Sequence, residues 1–403
     1  MKRKLLIVTS EYFHPLRSRL HHMLPFLLGN FEIKIVAMAP ALYDVPSCMR
    51  LWARAVAGMK KILRRNILQE QDRVLIIRNP LLEVGVDLIR IFLEIMGRAI
   101  FAAWIIKLKK MYTGFDVCIA SSYLGAFSAL LAKMPIPIVY EDIDRFEFIV
   151  EDTFAGKIIG LIERYCIRNS AGVISAGYSL AKSAEAIRGN RVYCIPNGID
   201  LRFFENIHDN ENKENIFSIV YLGSISSWSG LELAIESLPL IISEFPETKL
   251  TVIGSGDTRS APYIRKLKAL AEKLNVRDKV IFSGPRKYNE LPPIISKYAI
   301  GLATFQKTEV MRYAFTYKVI EYMAAGLPVI ATDVGDTGKI IKEYKCGVIV
   351  ESTPESVAEG LRRLFRNREY MQMLGKNGRQ GSKDFDLKVL AEKEIKVLSQ
   401  FFK

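Results

Sequence analysis

Short apolar runs alternate with amphipathic stretches from one end of the chain to the other. The first group of runs is Leu5–Thr9, Ile33–Ala37, Val74–Ile77, Val117–Ala120, Ile138–Tyr140 and Val173–Ser175. The second is Ser218–Leu222, Leu250–Ile253, Val280–Phe282, Ile300–Ala303, Val329–Ala331 and Val348–Val350. Each run is continuous rather than alternating, so each reads as a strand covered on both faces. Stretches such as Ala155–Ile167, Leu231–Phe245 and Pro262–Leu274 carry helical periodicity. Strands alternating with helices predict an α/β chain built on parallel sheets.

A polar stretch, ENIHDNENKEN (205–215), separates the two groups nearly in half. The expected organisation is an N-terminal Rossmann-like domain over 1–204, a linker over 205–216, and a second Rossmann-like domain over 217–384. A last segment, 385–403, holds one more helix, Leu387–Phe402.

Half of the 403 residues are apolar, enough for two large cores. The five cysteines are scattered and form no C-x-x-C pair, so neither a disulfide framework nor a zinc ribbon is expected and a cytoplasmic location is. The start, MKRKLLIVTS, reads as a first strand rather than a signal peptide. The formal charge of +14 is uneven: residues 50–110 hold 13 Lys/Arg against 5 Asp/Glu. That region includes the apolar stretch Leu88–Tyr112, interrupted by Arg90, Glu94 and Arg98, and the basic patch MKKILRR (59–65). The charges argue against a membrane-crossing helix and for one lying on an anionic membrane surface. No zinc-finger, RNA-recognition or helix-turn-helix pattern is present, so nucleic acid is not an expected partner.

Candidate chemistry concentrates in TYKVIEYMAAGLPVIAT (316–332). It reads as a short helix ending at Gly326, a Pro328 that forbids continuation, and a buried strand. Lys318 and Glu321 are three residues apart and share a helix face. A helix N-terminus favours anions, so a lysine and a carboxylate on its first turn suit a ligand with phosphates at one end and hydroxyls at the other. The loop before it carries Lys307, Glu309, Arg312 and Tyr313. GSGD (254–257) lacks the third glycine of a dinucleotide fingerprint, since Arg259 stands there, and no Walker A sequence occurs.

The 316–332 segment resembles the donor-binding segment of retaining glycosyltransferases of the GT-B fold, family 4. It is closest to the branch reading P-S-K-x-x-E-Y-M-A-A-G-x-P-V, with Thr316 and Tyr317 where Pro-Ser is usual. The resemblance implies two Rossmann-like domains facing across a cleft, and a C-terminal helix crossing back to the N-terminal domain. It implies a nucleotide-sugar co-substrate, UDP- or GDP-linked, with no cofactor and no metal. Glu321 then matches the glutamate that binds the ribose, and Lys318 the lysine that contacts phosphate. The backbone of Ala314, Phe315 and Thr316 would face the diphosphate or sugar.

Two positions depart from the family pattern. Tyr313 stands where the first glutamate of E-x7-E is usual, with Glu309 further upstream. YLGSISSWSGL (221–231) resembles the strand-Gly-Arg…Lys-Gly loop, yet Ser224 and Ser229 replace its two cations after Gly223. The diphosphate would then need Lys318, Arg286, Lys287 or Arg312. Gly254 matches the family's strand-Gly-x-Gly turn.

In the N-terminal half, IPNGID (195–200) resembles the family's I-P-N-G-V-D, with Asn197 lining the cleft. SEYFHPLRSR (10–19) lacks the usual glycine pair, so Arg17 or Arg19 would reach the ligand. EDID (141–144) offers Glu141, Asp142 and Asp144 to orient an acceptor hydroxyl or act as base; Asp142 and Asp144 match a D-x-D metal motif only superficially. The implied function is transfer of a hexose, with retention, to a membrane-associated or lipid-linked glycan acceptor by a cytoplasmic, peripheral membrane enzyme. Loss of the first glutamate and both loop cations leaves open a non-catalytic GT-B protein that binds a sugar, nucleotide or partner, and a sugar-nucleotide epimerase of the same fold.

Overall fold

The computed structural model describes residues 2–10, 19–38, 68–71, 74–77, 87–149, 154–205, 207, 215–254 and 261–402. The chain forms two compact units, Met1–Pro196 with Leu390–Lys403, and Asn197–Val389. The division thus falls ahead of the polar stretch expected as linker, of which 206 and 208–214 lie outside the described residues.

The first unit runs β1 (Arg3–Thr9), α1 (Arg19–Asn30), β2 (Phe31–Met38), β3 (Leu68–Gln71), β4 (Val74–Ile77) and α2 (Asp87–Leu108). It continues with β5 (Val117–Ser121), α3 (Ser122–Leu131), β6 (Ile138–Asp142), α4 (Phe146–Ile149), α5 (Phe154–Asn169), β7 (Gly172–Ser175), α6 (Tyr178–Arg188) and β8 (Val192–Cys194). The described strands form one sheet in the order β3-β4-β2-β1-β5-β6-β7-β8, parallel except for the β3 edge. Outward of the central strands, α2, α3 and α5 pack on one another through Ala99, Ala102, Ile106, Ala126, Ala129 and Ile159.

The second unit runs β9 (Ser218–Leu222), α7 (Leu231–Ser237), β10 (Lys249–Ile253), α8 (Ala261–Lys273), β11 (Val280–Gly284), α9 (Leu291–Ile295) and β12 (Ile300–Ala303). Then come α10 (Glu309–Arg312), α11 (Tyr317–Ala324), β13 (Val329–Thr332), α12 (Thr337–Tyr344), β14 (Gly347–Val350), α13 (Pro354–Phe365), α14 (Arg368–Gly381) and α15 (Leu387–Ser399). Its described strands are all parallel, in the order β11-β10-β9-β12-β13-β14. Helix α15 starts in this unit, and its residues from Leu390 onward belong to the first. Ile199 pairs with Asp386, exchanging backbone hydrogen bonds with Phe385 and Leu387, so the two stretches leading out of the second unit run side by side.

All twelve predicted strands are present, most of them a residue or two longer than their apolar runs. β3 and β8 were not foreseen. β3 reads LQEQ, an edge strand with no apolar run to betray it. The expected helix Leu231–Phe245 stops at Ser237 and continues as a single tighter turn over Leu238–Leu240. Pro239 has no N–H to donate, which ends the regular ladder there.

Candidate functional site

Helix α11 is clamped from three sides. At its C-terminus Gly326 has φ +69°, Leu327 donates its N–H to Tyr322 O (2.9 Å) and Gly326 donates to Met323 O (3.0 Å). This is a Schellman ending, and it explains why a glycine stands before Leu327-Pro328. In the middle, the Tyr322 hydroxyl accepts from Leu222 N–H (2.7 Å) and lies 3.2 and 3.3 Å from the Val220 and Leu302 carbonyls. Its ring lies over Gly301, where a Cβ would be 2.3 Å from the ring. At the back, Gly375 and Gly378 of α14 let that helix approach Gly326 and Met323 closely.

The N-terminal turn is held open. Thr316 stands at the N-cap, but its hydroxyl turns to the Thr337 hydroxyl (3.3 Å) and makes no cap bond. Asp336 N–H donates to Ala314 O (3.1 Å), and a Cβ at Gly335 would lie 2.4 Å from that carbonyl. The 314–316 backbone is thereby fixed at the mouth of the helix, which the Thr316 side chain does not cap. Such a turn attracts anions.

Lys318 and Glu321 are both buried. The Lys318 Nζ sits 3.6 Å from the centroid of the Tyr221 ring and 4.6 Å from that of Phe305. Burial holds its ammonium down to about 7, against an opposing pull from Glu321. Burial likewise pushes the Glu321 carboxyl up to about 7, against the pull of Lys318. Among the described residues the two side chains form no ion pair with one another or with a third group. A buried ammonium and a buried carboxyl left without polar partners are costly unless something else satisfies them.

The strand ends meet at the same place. Gly223, with φ +125°, leaves β9 so that a Cβ there would lie 3.4 Å from Lys318 Cε and 3.5 Å from Nζ. Gly254, after β10, is pressed against the Gly223 carbonyl, where a Cβ would come within 1.8 Å of the oxygen. Backbone bonds from Gly223 N–H to Ile253 O (3.0 Å) and from Gly254 N–H to Gly284 O (3.1 Å) align the ends of β9, β10 and β11. Gly230 is similarly pressed on the Thr304 carbonyl, locking the loop after β9 to the loop after β12. Gly223, Gly254, Lys318 and the mouth of α11 therefore cluster at the C-terminal edge of the sheet, where open parallel sheets bind ligands.

Other predicted residues fall around this cluster or away from it. Ser224 is exposed, and its carbonyl accepts the Tyr221 hydroxyl (2.8 Å). Ser229 is buried, 3.5 Å from the Tyr263 hydroxyl, so it supplies neither charge nor an exposed donor. Glu309 and Arg312 pair on the surface (3.4 Å), and Arg312 also lies 5.6 Å from the centroid of Tyr313. Arg286 bonds to its neighbours Pro285 O and Ser283 Oγ. Lys287 N–H is held by Glu290. Phe315 is buried against Phe385, with 5.8 Å between ring centroids. Tyr317 is half-buried beside Lys318.

In the first unit the structure corrects three expectations. Arg19 is no loop cation reaching for phosphate. It is the first residue of α1, buried, and donates to Glu141 (2.8 Å), Glu394 of α15 (2.8 Å) and Pro196 O (2.9 Å). Glu141 is correspondingly buried, its Oε1 joining β6 to α1 and its Oε2 left without a hydrogen-bond partner. Asp142 is buried under a short contact with Arg145 and also meets Tyr140 and Ser175. A carboxylate so enclosed is unsuited to acting as base or metal ligand, which removes the D-x-D reading as well. Asp144 accepts Arg145 N–H (2.9 Å), and burial pushes its carboxyl up to about 6. Asn197, in the second unit, keeps a buried Oδ1 with no hydrogen-bond partner. Arg17 lies outside the described residues.

Sequence reasoning missed the aromatic residues of the site. Tyr221 and Phe305 face Lys318, and Tyr288 lies near enough to Glu321 and Tyr317 for their charges to raise its hydroxyl further above the level burial sets. Tyr221 lies inside an apolar run and Phe305 two residues beyond another, so both read as core.

Comparisons with known proteins place these features. Residues 203–381, which hold the whole cluster, match the family described as glycosyl transferases group 1. The chain is similar to a putative glycosyltransferase, YtcC, of Bacillus subtilis, 29% identical over 166 residues, 40% of this chain and 39% of that one. It is also similar to the GDP-mannose-dependent alpha-(1-6)-phosphatidylinositol monomannoside mannosyltransferase of Mycobacterium tuberculosis, 26% identical over 170 residues, 40% of this chain and 42% of that one. The matches thus span about two fifths of the length of these relatives. Among solved structures, Anabaena HepE in complex with UDP superposes with a TM-score of 0.70 over 99% of this chain and 100% of that one, at 16% identity. The fold is that of the GT-B proteins, with two Rossmann-like units.

Proposed function

We propose that this chain is a glycosyltransferase that binds a nucleotide-sugar in its second unit and transfers the sugar to a membrane-associated or lipid-linked glycan acceptor. The observation that carries the reading is the pair Lys318 and Glu321, buried and unpaired beside Gly223 and the uncapped first turn of α11. A diphosphate placed there would accept from the first-turn amides and from Lys318, and Glu321 would accept from ribose hydroxyls one turn along. Both buried groups would then be satisfied by the ligand. The family matched by residues 203–381 and the UDP held by the HepE structure support this use of the site.

The leaving diphosphate gains negative charge as the sugar becomes oxocarbenium-like. Lys318 and the α11 dipole stabilise that charge with no metal in the scheme. The product keeps the donor's anomeric configuration, as the family 4 pattern of 316–332 implies. A lipid-linked acceptor is favoured by the named acceptor of the mycobacterial relative and by the basic, apolar character of residues 50–110. The test is a donor screen with UDP- and GDP-sugars in the presence of chelator, reading release of the nucleoside diphosphate and the configuration of the product by NMR. No turnover of any donor, with nucleotide still bound, would instead favour the non-catalytic reading, which the absence of cations at Ser224 and Ser229 motivates.

A further inference from the structure

The first unit carries an apolar surface that its fold does not use. On α2, Ile100, Trp104 and Leu108 recur every four residues and are 54 to 58% exposed. On α5, Phe154, Leu161 and Tyr165 share one side and are 71, 63 and 42% exposed. Both helices bury their opposite sides, through Ala99, Ala102, Ala103 and Ile106 and through Ala155, Ile159, Ile162 and Cys166. Helices α2 and α5 touch one another and both lie against α3, which is buried along most of its length. The two exposed stripes are therefore neighbours on one side of the unit.

Cations border both stripes. Lys107 lies in the last turn of α2 and Lys109 and Lys110 follow it, while Lys157 and Arg168 alternate with the apolar residues of α5. Arg164 joins them, bonded to Glu147 (3.1 Å). From Ile100 to Lys110 and along α5 no exposed position is acidic, because Glu163 is buried beneath Phe146 N–H. Protruding aromatic and aliphatic side chains within a ring of cations match a layer with an oily interior and an anionic surface. Nucleic acid would satisfy the cations but not Ile100, Leu108 or Leu161. None of the described helices is long and apolar enough to cross a membrane.

We propose that the outward faces of α2 and α5 form a membrane-docking surface whose partner is an anionic phospholipid bilayer. Trp104, Phe154 and Leu161 enter the boundary between headgroups and chains, and Lys107, Lys109 and Lys157 meet the lipid phosphates. The proposal adds a location on the molecule to the membrane-held acceptor suggested above, and for its purpose it rests on that reading.

Flotation of the full chain with vesicles tests it, using phosphatidylcholine alone and phosphatidylcholine mixed with phosphatidylglycerol. The chain should float with the mixed vesicles only. The variant Trp104→Ser, Phe154→Ser, Leu161→Ser should bind more weakly by at least about tenfold per residue. The variant Lys107→Gln, Lys109→Gln, Lys157→Gln should lose about a hundredfold, at roughly fivefold per cation. Both variants should keep the wild-type melting temperature and UDP affinity, which shows that the second unit is intact. Equal binding by wild type and both variants, or no binding by wild type, overturns the proposal. So does a wild-type dimer that the serine variant converts to a monomer by light scattering, since the face would then belong to a second copy. UDP titration is read separately, so failure of the donor reading and failure of the docking surface are told apart.

Discussion

The Lys318 ammonium rests 3.6 Å from the centre of the Tyr221 ring and 4.6 Å from that of Phe305, and among the described residues it makes no ion pair with a carboxylate. Tyr221 belongs to β9 and Lys318 to α11, so the contact joins the end of that strand to the helix. An aromatic face gives a desolvated ammonium partial compensation, less than a carboxylate would. Burial with no carboxylate bonded to it holds that ammonium close to neutrality.

Lys318→Met should weaken UDP binding by about 10- to 100-fold, the range for a lost charge-assisted hydrogen bond. It should weaken binding of inorganic pyrophosphate by a similar factor. Glu321→Gln should weaken UDP binding while leaving pyrophosphate unchanged, since its expected partner is the ribose. Calorimetric titration with both ligands separates the two roles.

The same pair gives the ligand-free protein an unusual pH profile. Glu321 is raised from 4.5 to about 7, so the folded state binds its proton more tightly, and stability falls as pH rises from about 4.5 to 7. Lys318 is lowered from 10.5 to about 7, so the unfolded state holds its proton longer, and stability rises from about 7 towards 10.5. The two contributions give a minimum near pH 7, about 3 kcal/mol deep. Urea midpoints measured across this range should show the dip in wild type and lose it in the double variant Lys318→Met, Glu321→Gln. A dip of unchanged depth in that variant would assign it to other groups.

Gly254→Ala should destabilise the second unit by at least about 3 kcal/mol, because φ +154° is strained for alanine and its Cβ would overlap the Gly223 carbonyl. Gly223→Ala carries backbone strain at φ +125° but no overlap, its Cβ lying 3.4 Å from Lys318 Cε, so it should lose less stability than Gly254→Ala while crowding Lys318 and weakening UDP binding. Thermal melts and UDP titration of the two variants check the contrast.

Asp142→Ala should cost about 3–5 kcal/mol by leaving Arg145 buried without its carboxylate. A catalytic Asp142 would instead show lost turnover at unchanged stability. Denaturant unfolding of this variant beside Asp144→Asn decides between them.

The fold was legible because parallel strands buried on both faces leave continuous apolar runs, and β9 to β14 coincide with such runs almost residue for residue. Helix α11 was legible because Gly326, Pro328, Lys318 and Glu321 each have a local physical consequence. Other features depend on contacts remote in sequence. Nothing around Arg19 announces that Glu141 and Glu394 enclose it, 122 and 375 residues away. The Asp142–Arg145 pair is local, yet the reason it is closed to ligands is burial, which a polar EDID turn conceals. The aromatic setting of Lys318 was hidden because Tyr221 sits inside an apolar strand and Phe305 just past another, where an aromatic side chain reads as core.

The central claim is that the first turn of α11, with Lys318 and Glu321, holds a nucleoside diphosphate. Isothermal titration of UDP and GDP into the full chain, wild type beside Lys318→Met and Glu321→Gln, tests it most directly. The account predicts saturable one-site binding of at least one nucleotide by wild type, and affinity at least about tenfold weaker in each variant. Equal affinity in all three proteins, or no binding of either nucleotide, would contradict it.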